Sequence, residues 1–308
     1  MLNPMPGLPL QPYEIRPAGP EDAAALFILH AAIAEADAGQ LLGWTQIMEE
    51  RLETGGRAWV IGRGRQLAGY AAADPVPGLA GVYDLSGGIV PAQQRRGLGT
   101  RLLRGVQAAG REASIGQLSC RVERLDEPAA EFLLARDFVV EHEECLLESA
   151  DLGSLPPVPS GRPDELRVYA AERAVGEFCR VYEAAFGDMA WSQPYSEAEV
   201  AAMLARPEDL LFLEIDGAPV GVVWSELLPD GRGRVEPLGI VPAARGQGHG
   251  RRLLLAALHD LRERGARPVE IGLWRQNTVA LNLYKSLGFL EVDHWYYLAC
   301  DLDGLKAE

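Results

Sequence analysis

The sequence predicts an α/β chain of the α+β layered kind, with two domains, each a central, mixed, mostly antiparallel sheet flanked by helices. Three observations carry that prediction. The chain has 308 residues, long for one compact domain and comfortable for two. One phrase, GIVPAQQRRGLGTRLL at residues 88–103, returns as GIVPAARGQGHGRRLL at residues 239–254. Each copy also lies within the same order of strand-like and helix-like segments.

The repeat holds at one offset of 151 residues, the distance from Gly88 to Gly239. Without a gap, Gly88-Ile89-Val90-Pro91-Ala92 falls on Gly239-Ile240-Val241-Pro242-Ala243. Gly97 and Gly99 fall on Gly248 and Gly250, Arg101-Leu102-Leu103 on Arg252-Leu253-Leu254, and Phe138 on Phe289. A unit of this length is too long for a solenoid, so each copy is read as a domain. Residues 149–166, rich in Pro, Gly and Ser, read as a linker with a stiff middle. The expected organisation is a disordered lead-in at 1–12, an N-terminal domain at 13–148, a linker at 149–165 and a C-terminal domain at 166–308.

The elements follow in order. YEIRP from Tyr13 is a short strand, and Pro20-Glu21-Asp22 starts an Ala/Leu-rich helix to about Ala36. Residues 58–73 read as a hairpin turning at 62–65, and 82–90 as the next strand. The glycine phrase leads into a helix at about 98–113; strand 119–124, helix 128–136 and strand 138–147 close the half. The second half repeats this grammar, with a hairpin turn at Asp216-Gly217, strand RVEPLGIV, a helix at about 249–264, strand VEIGLW, helix TVALNLYKSL and strand FLEVDHWYYLA.

Composition narrows the function. Hydrophobic residues make up 48% and charged residues 24%, ordinary for a globular protein. No apolar run reaches the roughly 18 residues that a membrane span needs. The lead-in MLNPMPGLPLQP has no basic region and is broken by prolines, unlike a signal peptide. Cys120, Cys145, Cys179 and Cys300 form no CxxC pair, and the histidines form no HxxxH pair, so neither a zinc site nor a disulfide framework is expected. Reduced thiols in a cytoplasmic protein fit best. The formal net charge of −15 argues against nucleic acid as a partner, but not against a small anion held by local amides and arginines.

The glycine phrase has a physical reading. Leu238 to Val241 is an apolar strand end; Arg245-Gly246-Gln247-Gly248-His249-Gly250 is a turn; Leu253, Leu254, Ala257, Leu258 and Leu261 recur at helical spacing. A helix start stripped of side chains exposes unpaired N–H groups, which with the helix dipole favour a phosphate-like anion. A Walker A loop needs a Gly-Lys pair, which this chain lacks. A dinucleotide loop needs GxGxxG, but Gly250 is followed by Arg251, Arg252 and Leu253. What stands here, twice, is [QR]xxGxG after a strand ending in Ile-Val-Pro.

That pattern resembles the acetyl-CoA motif of the GNAT superfamily of N-acyltransferases. The resemblance covers both halves and extends to NTVALNLYKSLGF, where Asn277, Ala280, Tyr284, Gly288 and Phe289 fall in the family's places. It implies two GNAT-like domains and acetyl-CoA as cofactor. By resemblance, Leu238, Gly239 and Ile240 line the pantetheine arm. Arg245, Gly246, Gln247, Gly248, His249, Gly250 and Arg251 grip the pyrophosphate, with Asn277 and Tyr284 beside the cofactor. In the first half the matching positions are Ile89, Gln94, Arg95, Arg96, Gly97, Leu98, Gly99 and Thr100.

Transfer of an acetyl group to an amine needs a base for the amine and an acid for the thiolate. Tyr284 is the candidate acid. Glu236 is the candidate base, with Pro237 suggesting a bulge and Glu226 and Glu214 as weaker substitutes. At the same offset Tyr284 falls on Leu133, Asn277 on Asp126, Gly288 on Asp137 and Glu236 on Leu85. The N-terminal half therefore reads as non-catalytic, with Tyr83 and Asp84 the counter-case. The family's acceptor segment is here GDMAWSQPYSEAE, which makes Asp188, Trp191 and Tyr195 candidates for the substrate. The expected function is an N-acetyltransferase acting on a small-molecule or peptide amine, as a monomer or homodimer. A non-catalytic acyl-CoA-binding tandem module is the alternative from another class. A narrower resemblance, to mycothiol synthase, holds at the cofactor positions; the acceptor ligands expected around Trp224 and Arg234 are not in place.

Overall fold

Strands that are buried on both faces read as continuous apolar runs, and the second half is built on such strands. In the computed structural model, which describes residues 12–34, 48, 57–64, 66–149, 151–159, 165–189 and 192–304, β8 (Leu210–Ile215) and β9 (Ala218–Leu227) form a hairpin through Asp216 and Gly217. Both turn residues have positive φ, 51° and 79°, as a two-residue hairpin with the sheet's own twist demands. Alternation then sorts their side chains. Leu210, Phe212, Val222 and Trp224 pack with the helix Ala171–Phe186, while Leu213 and Val223 pack with the helix His249–Glu263. Leu253, Leu254, Leu255, Leu258 and Leu261 of that second helix are fully buried, each burial contributing about 1.5–3 kcal/mol.

The remaining strands are β1 (Glu14–Pro17), β2 (Ala58–Arg63), β3 (Gln66–Pro75), β4 (Val82–Ile89), β5 (Gln117–Val122), β6 (Val139–Ser149), β7 (Leu166–Arg167), β10 (Gly233–Ile240), β11 (Val269–Trp274) and β12 (Leu290–Asp301). They divide between two compact units that are not contiguous in sequence. One comprises the chain up to Arg121 with Glu131–Val139 and the residues from Leu298 onward. Its strand order is β1-β2-β3-β4-β5 and then the end of β12. The other comprises Val122–Ala130 and Val140–Tyr297, with the order β12-β6-β11-β10-β9-β8-β7. The last strand of the first repeat, β6, thus runs antiparallel to β11 inside the second unit, from Ser149 opposite Val269 to Glu144 opposite Trp274.

Two features position the site. β10 pairs in parallel with β11 at Gly233 and Arg234, and among the described residues no further pairs follow. The strands part there, leaving a cleft. Against β9, the register of β10 shifts between Val235 and Leu238, so Glu236 and Pro237 form the bulge that proline suggested. In the first unit β4 and β5 pair at Val82, Tyr83 and Asp84, but β4 runs against β3 without a register shift.

Candidate active site

The glycine turn at the mouth of the cleft is shaped by backbone, not by bulk. Gly246 and Gly248 have φ of 77° and 81°, and a Cβ on either would meet nothing within 4 Å. Glycine is demanded there by conformation, not by space. Arg245 donates from Nε to Ile240 O at 3.0 Å and from its terminal nitrogen to Ala185 O at 2.7 Å. Its guanidinium therefore shapes the turn, an employment the sequence did not show. Arg252 N is the first amide of the turn-to-helix passage to find a backbone acceptor, Gly248 O at 3.1 Å. Among the described residues the amides of Gly246, Gln247, Gly248, His249 and Gly250 have none. That is a ready cradle for a diphosphate at a helix N-terminus. Arg251 stands beside it, bonded to Ser286 Oγ at 2.9 Å.

Leu238 and Ile240 are half-buried on β10. Gly239 lets the helix Ala171–Phe186 close in: a Cβ there would lie 2.7 Å from Phe186. Asn277 caps the helix Thr278–Lys285, its side-chain oxygen accepting from Ala280 N at 3.2 Å. The turn and strand edge fit acetyl-CoA: open donors for the diphosphate, and an unpaired β10 edge for an extended arm.

Glu236 and Tyr284 lie near enough for the charge of the one to act on the phenol of the other. Glu236 lies in the bulge; a Cβ on Gly272 of β11 would stand 3.0 Å from its Oε2, so the missing side chain at 272 makes room for the carboxylate. Protein crowds this carboxylate on most sides while the cleft mouth keeps it reachable from solvent. Desolvation first, and the charge of Glu144 second, lift its pKa to about 7. Tyr284 is 4% exposed, and burial followed by the charge of Glu236 holds its phenol well above the usual range. It keeps its proton at neutral pH. Among the described residues no hydrogen bond to its hydroxyl forms.

The weaker substitutes are used elsewhere. Glu214 accepts from Tyr169 Oη at 2.6 Å and from Arg167 at 3.1 Å, and Glu226 faces Arg234 at 3.6 Å. Of the acceptor candidates, Tyr195 packs edge-on to Phe178 and Tyr182. Burial and then Tyr182 and Glu236 push Tyr195 up to about 12. Asp188 is exposed in the turn after the helix Ala171–Phe186. Trp191 lies outside the described residues. Sequence reasoning missed Glu144, Trp295 and His142. Trp295 Nε1 donates to Glu144 Oε2 at 3.1 Å, and His142 Nε2 lies 3.6 Å from Glu144 Oε1. No local pattern marks them, because β6 reaches this cleft only through long-range strand pairing.

The first repeat keeps the turn and lacks the pair. Gln94 Nε2 donates to Ile89 O at 2.9 Å, Gly97 has φ of 77°, and Arg101 N is the first amide paired, to Gly97 O at 3.1 Å. Arg95 takes a left-handed φ of 59° where the second turn has Gly246. Arg96 is exposed and Leu98 is buried. Thr100 Oγ1 accepts from Arg136 Nε at 3.0 Å, and Phe132 closes on Gly99. Leu133, in the place of Tyr284, is buried.

A doubled strand–turn–helix cradle fit for a diphosphate, with a carboxylate and a buried tyrosine in the second repeat where the first has leucines, is the pattern of an acyl-CoA-dependent transferase. The Acetyltransferase (GNAT) family model matches residues 24–138 and 177–289, and the chain belongs to that family; it is an acyltransferase. A mycothiol acetyltransferase from Thermomonospora curvata is 35% identical over 233 residues, 72% of this chain and 75% of that protein. Among solved structures, a GCN5-related N-acetyltransferase from Sphaerobacter thermophilus superposes with a TM-score of 0.65 at 20% identity, covering 95% of this chain and 97% of that one. A tandem GNAT protein from the clavulanic acid biosynthesis pathway superposes with a TM-score of 0.58 at 18% identity, over 96% and 100% of the two chains. These two likenesses carry the fold. No helix among the described residues is long and apolar enough to cross a membrane.

Proposed function

We propose that the chain transfers the acetyl group of acetyl-CoA to a primary amine, that residues 166–308 carry the chemistry and that residues 13–148 carry none. The observation behind this reading is the meeting of Glu236 and Tyr284 in one cleft, where the other repeat has Leu85 and Leu133. Acetyl-CoA, held by the turn amides and by Leu238, Gly239 and Ile240, supplies the thioester. Glu236, titrating near neutrality, takes a proton from the acceptor's ammonium, directly or through water. The freed nitrogen forms its bond to the acetyl carbon, the C–S bond breaks, Tyr284 gives its proton to the departing sulfur, and the second proton that the nitrogen sheds as the amide forms restores the Tyr284 hydroxyl. Tyr182, Tyr195 and Trp295 offer an aromatic wall to the acceptor.

The name borne by the Thermomonospora curvata relative supports a finer reading, in which the acceptor is of the kind mycothiol acetyltransferases use. Arg234 is engaged by Glu270 at 2.9 Å and Trp224 is buried, so acceptor contacts in this reading fall to Glu236, Glu144 and the aromatic wall. The test is CoA release from acetyl-CoA with a panel of amines that includes mycothiol's amine precursor. Turnover with at least one amine, lost in Tyr284→Phe, is expected. Tight acetyl-CoA binding with no release for any amine overturns the catalytic reading in favour of a binding module.

A further inference from the structure

We infer that Glu144 is a positioning residue for the reaction: clamped by Trp295 and His142, its carboxylate acts through Glu236, the residue that receives the acceptor's proton. This rests on the acid–base reading of Glu236. The geometry comes from strand register. Glu144 on β6 stands opposite Trp274 on β11, and Leu146 opposite Gly272. Side chains of directly opposed residues, and of residues two apart along a strand, share a face. Glu144 therefore stands on the face on which the Glu236 carboxylate lies over Gly272. The clamp fixes it there. Trp295 Nε1 donates to one oxygen at 3.1 Å, and the other lies 3.6 Å from His142 Nε2. His142 in turn lies 3.7 Å from Glu141 and stacks on Tyr297 at 4.4 Å between centroids. Burial lowers the His142 pKa, but the carboxylates of Glu141 and Glu144 beside it outweigh this and carry it to about 9. The imidazolium thus stays charged through neutral pH and faces the Glu144 carboxylate.

A fixed negative charge beside Glu236 does two things. It makes Glu236 a stronger base, because a second charge in one cleft disfavours ionisation. It also favours entry of a cationic acceptor over a neutral one. The other groups facing Glu236 are Arg234 on its own strand, Glu270 on β11, Tyr284, Tyr182 and Tyr195. The only cation among them, Arg234, is already paired with Glu270 and Glu226. Glu144 belongs to the first repeat in sequence. By this inference, the repeat without chemistry sets the basicity of the residue that performs it.

The experiment titrates Glu236 directly, with no acceptor present. Full-length protein labelled with carbon-13 at glutamate carboxyls is followed by NMR, and the Glu236 signal is identified by its loss in Glu236→Gln. In Glu144→Gln, which keeps the shape and the bond from Trp295, the Glu236 midpoint should fall by about 0.5–1 pH unit. An unmoved midpoint in a folded variant overturns the inference. Should Glu144→Gln fail to fold, Trp295→Phe, which loosens the clamp, should move the midpoint the same way by less, and no movement there overturns it equally. In turnover the acid limb of kcat/KM should follow the midpoint downward, with acetyl-CoA affinity unchanged. Because the titration needs no turnover, a chain that releases no CoA with any amine sinks the catalytic reading, whereas an unmoved midpoint sinks only this one.

Discussion

Gln94 and Arg245 close the two glycine turns in the same way, onto Ile89 O at 2.9 Å and Ile240 O at 3.0 Å. Both helices then begin at a left-handed glycine with φ near 80°. The clefts behind the turns differ. In the second repeat β10 bulges at Glu236 and faces a glycine on β11; in the first, β4 runs unbroken and Leu133 fills the place of Tyr284. The turn is a backbone device that several side chains can close, so it outlasts changes around it. The proposed chemistry depends on two specific titratable groups, Glu236 and Tyr284, and the first repeat has leucine at both places.

The sharpest way to break that comparison is Tyr284→Phe. It should lower kcat by about 10²–10³-fold and leave acetyl-CoA affinity within about twofold by calorimetry, since binding falls to the turn. The converse, Leu133→Tyr, should create no second activity and should cost about 1–3 kcal/mol of stability through overpacking.

Glu236→Gln should follow, lowering kcat/KM about 10²-fold. In the wild type, kcat/KM should fall as pH drops through about 7, because only ionised Glu236 accepts a proton. The variant should lose that limb. A limb that survives in Glu236→Gln would assign the base elsewhere.

A smaller effect is expected at the turn itself. Gly248→Ala places a Cβ in open space at φ of 81°, so the cost is conformational, about 1–2 kcal/mol. Acetyl-CoA binding should weaken roughly 5–30-fold by calorimetry. The smallest effect tests the first turn, where Arg95 already bears that strain at φ of 59°. Arg95→Gly should stabilise the protein by about 0.5–1 kcal/mol, seen as a rise in Tm with CoA release unchanged.

Much of this was legible in the residues. The continuous apolar run Val222-Val223-Trp224 and the Asp216-Gly217 turn specify a hairpin by local rules. Pro237 announced the bulge, whereas the N-cap role of Asn277 emerged only in the structure. The role of Arg245 as a brace for the turn was not legible, because its partner Ala185 O lies 60 positions away. The order of strands around β6 was not legible either, since β-pairing is non-local and alternation names a face, not a neighbour.

The sequence by itself determined the doubling of the chain, the anion-ready turn in each copy, and the loss of Tyr284's counterpart in the first. These are properties of position and residue type, and one offset exposes them. Only the tertiary structure decided that β6, from the first repeat, pairs with β11 and brings Glu144 and His142 to the cleft of Glu236. A carboxylate's charge acts over a few ångströms of space, and which charges fall within that distance is set by packing, not by order along the chain.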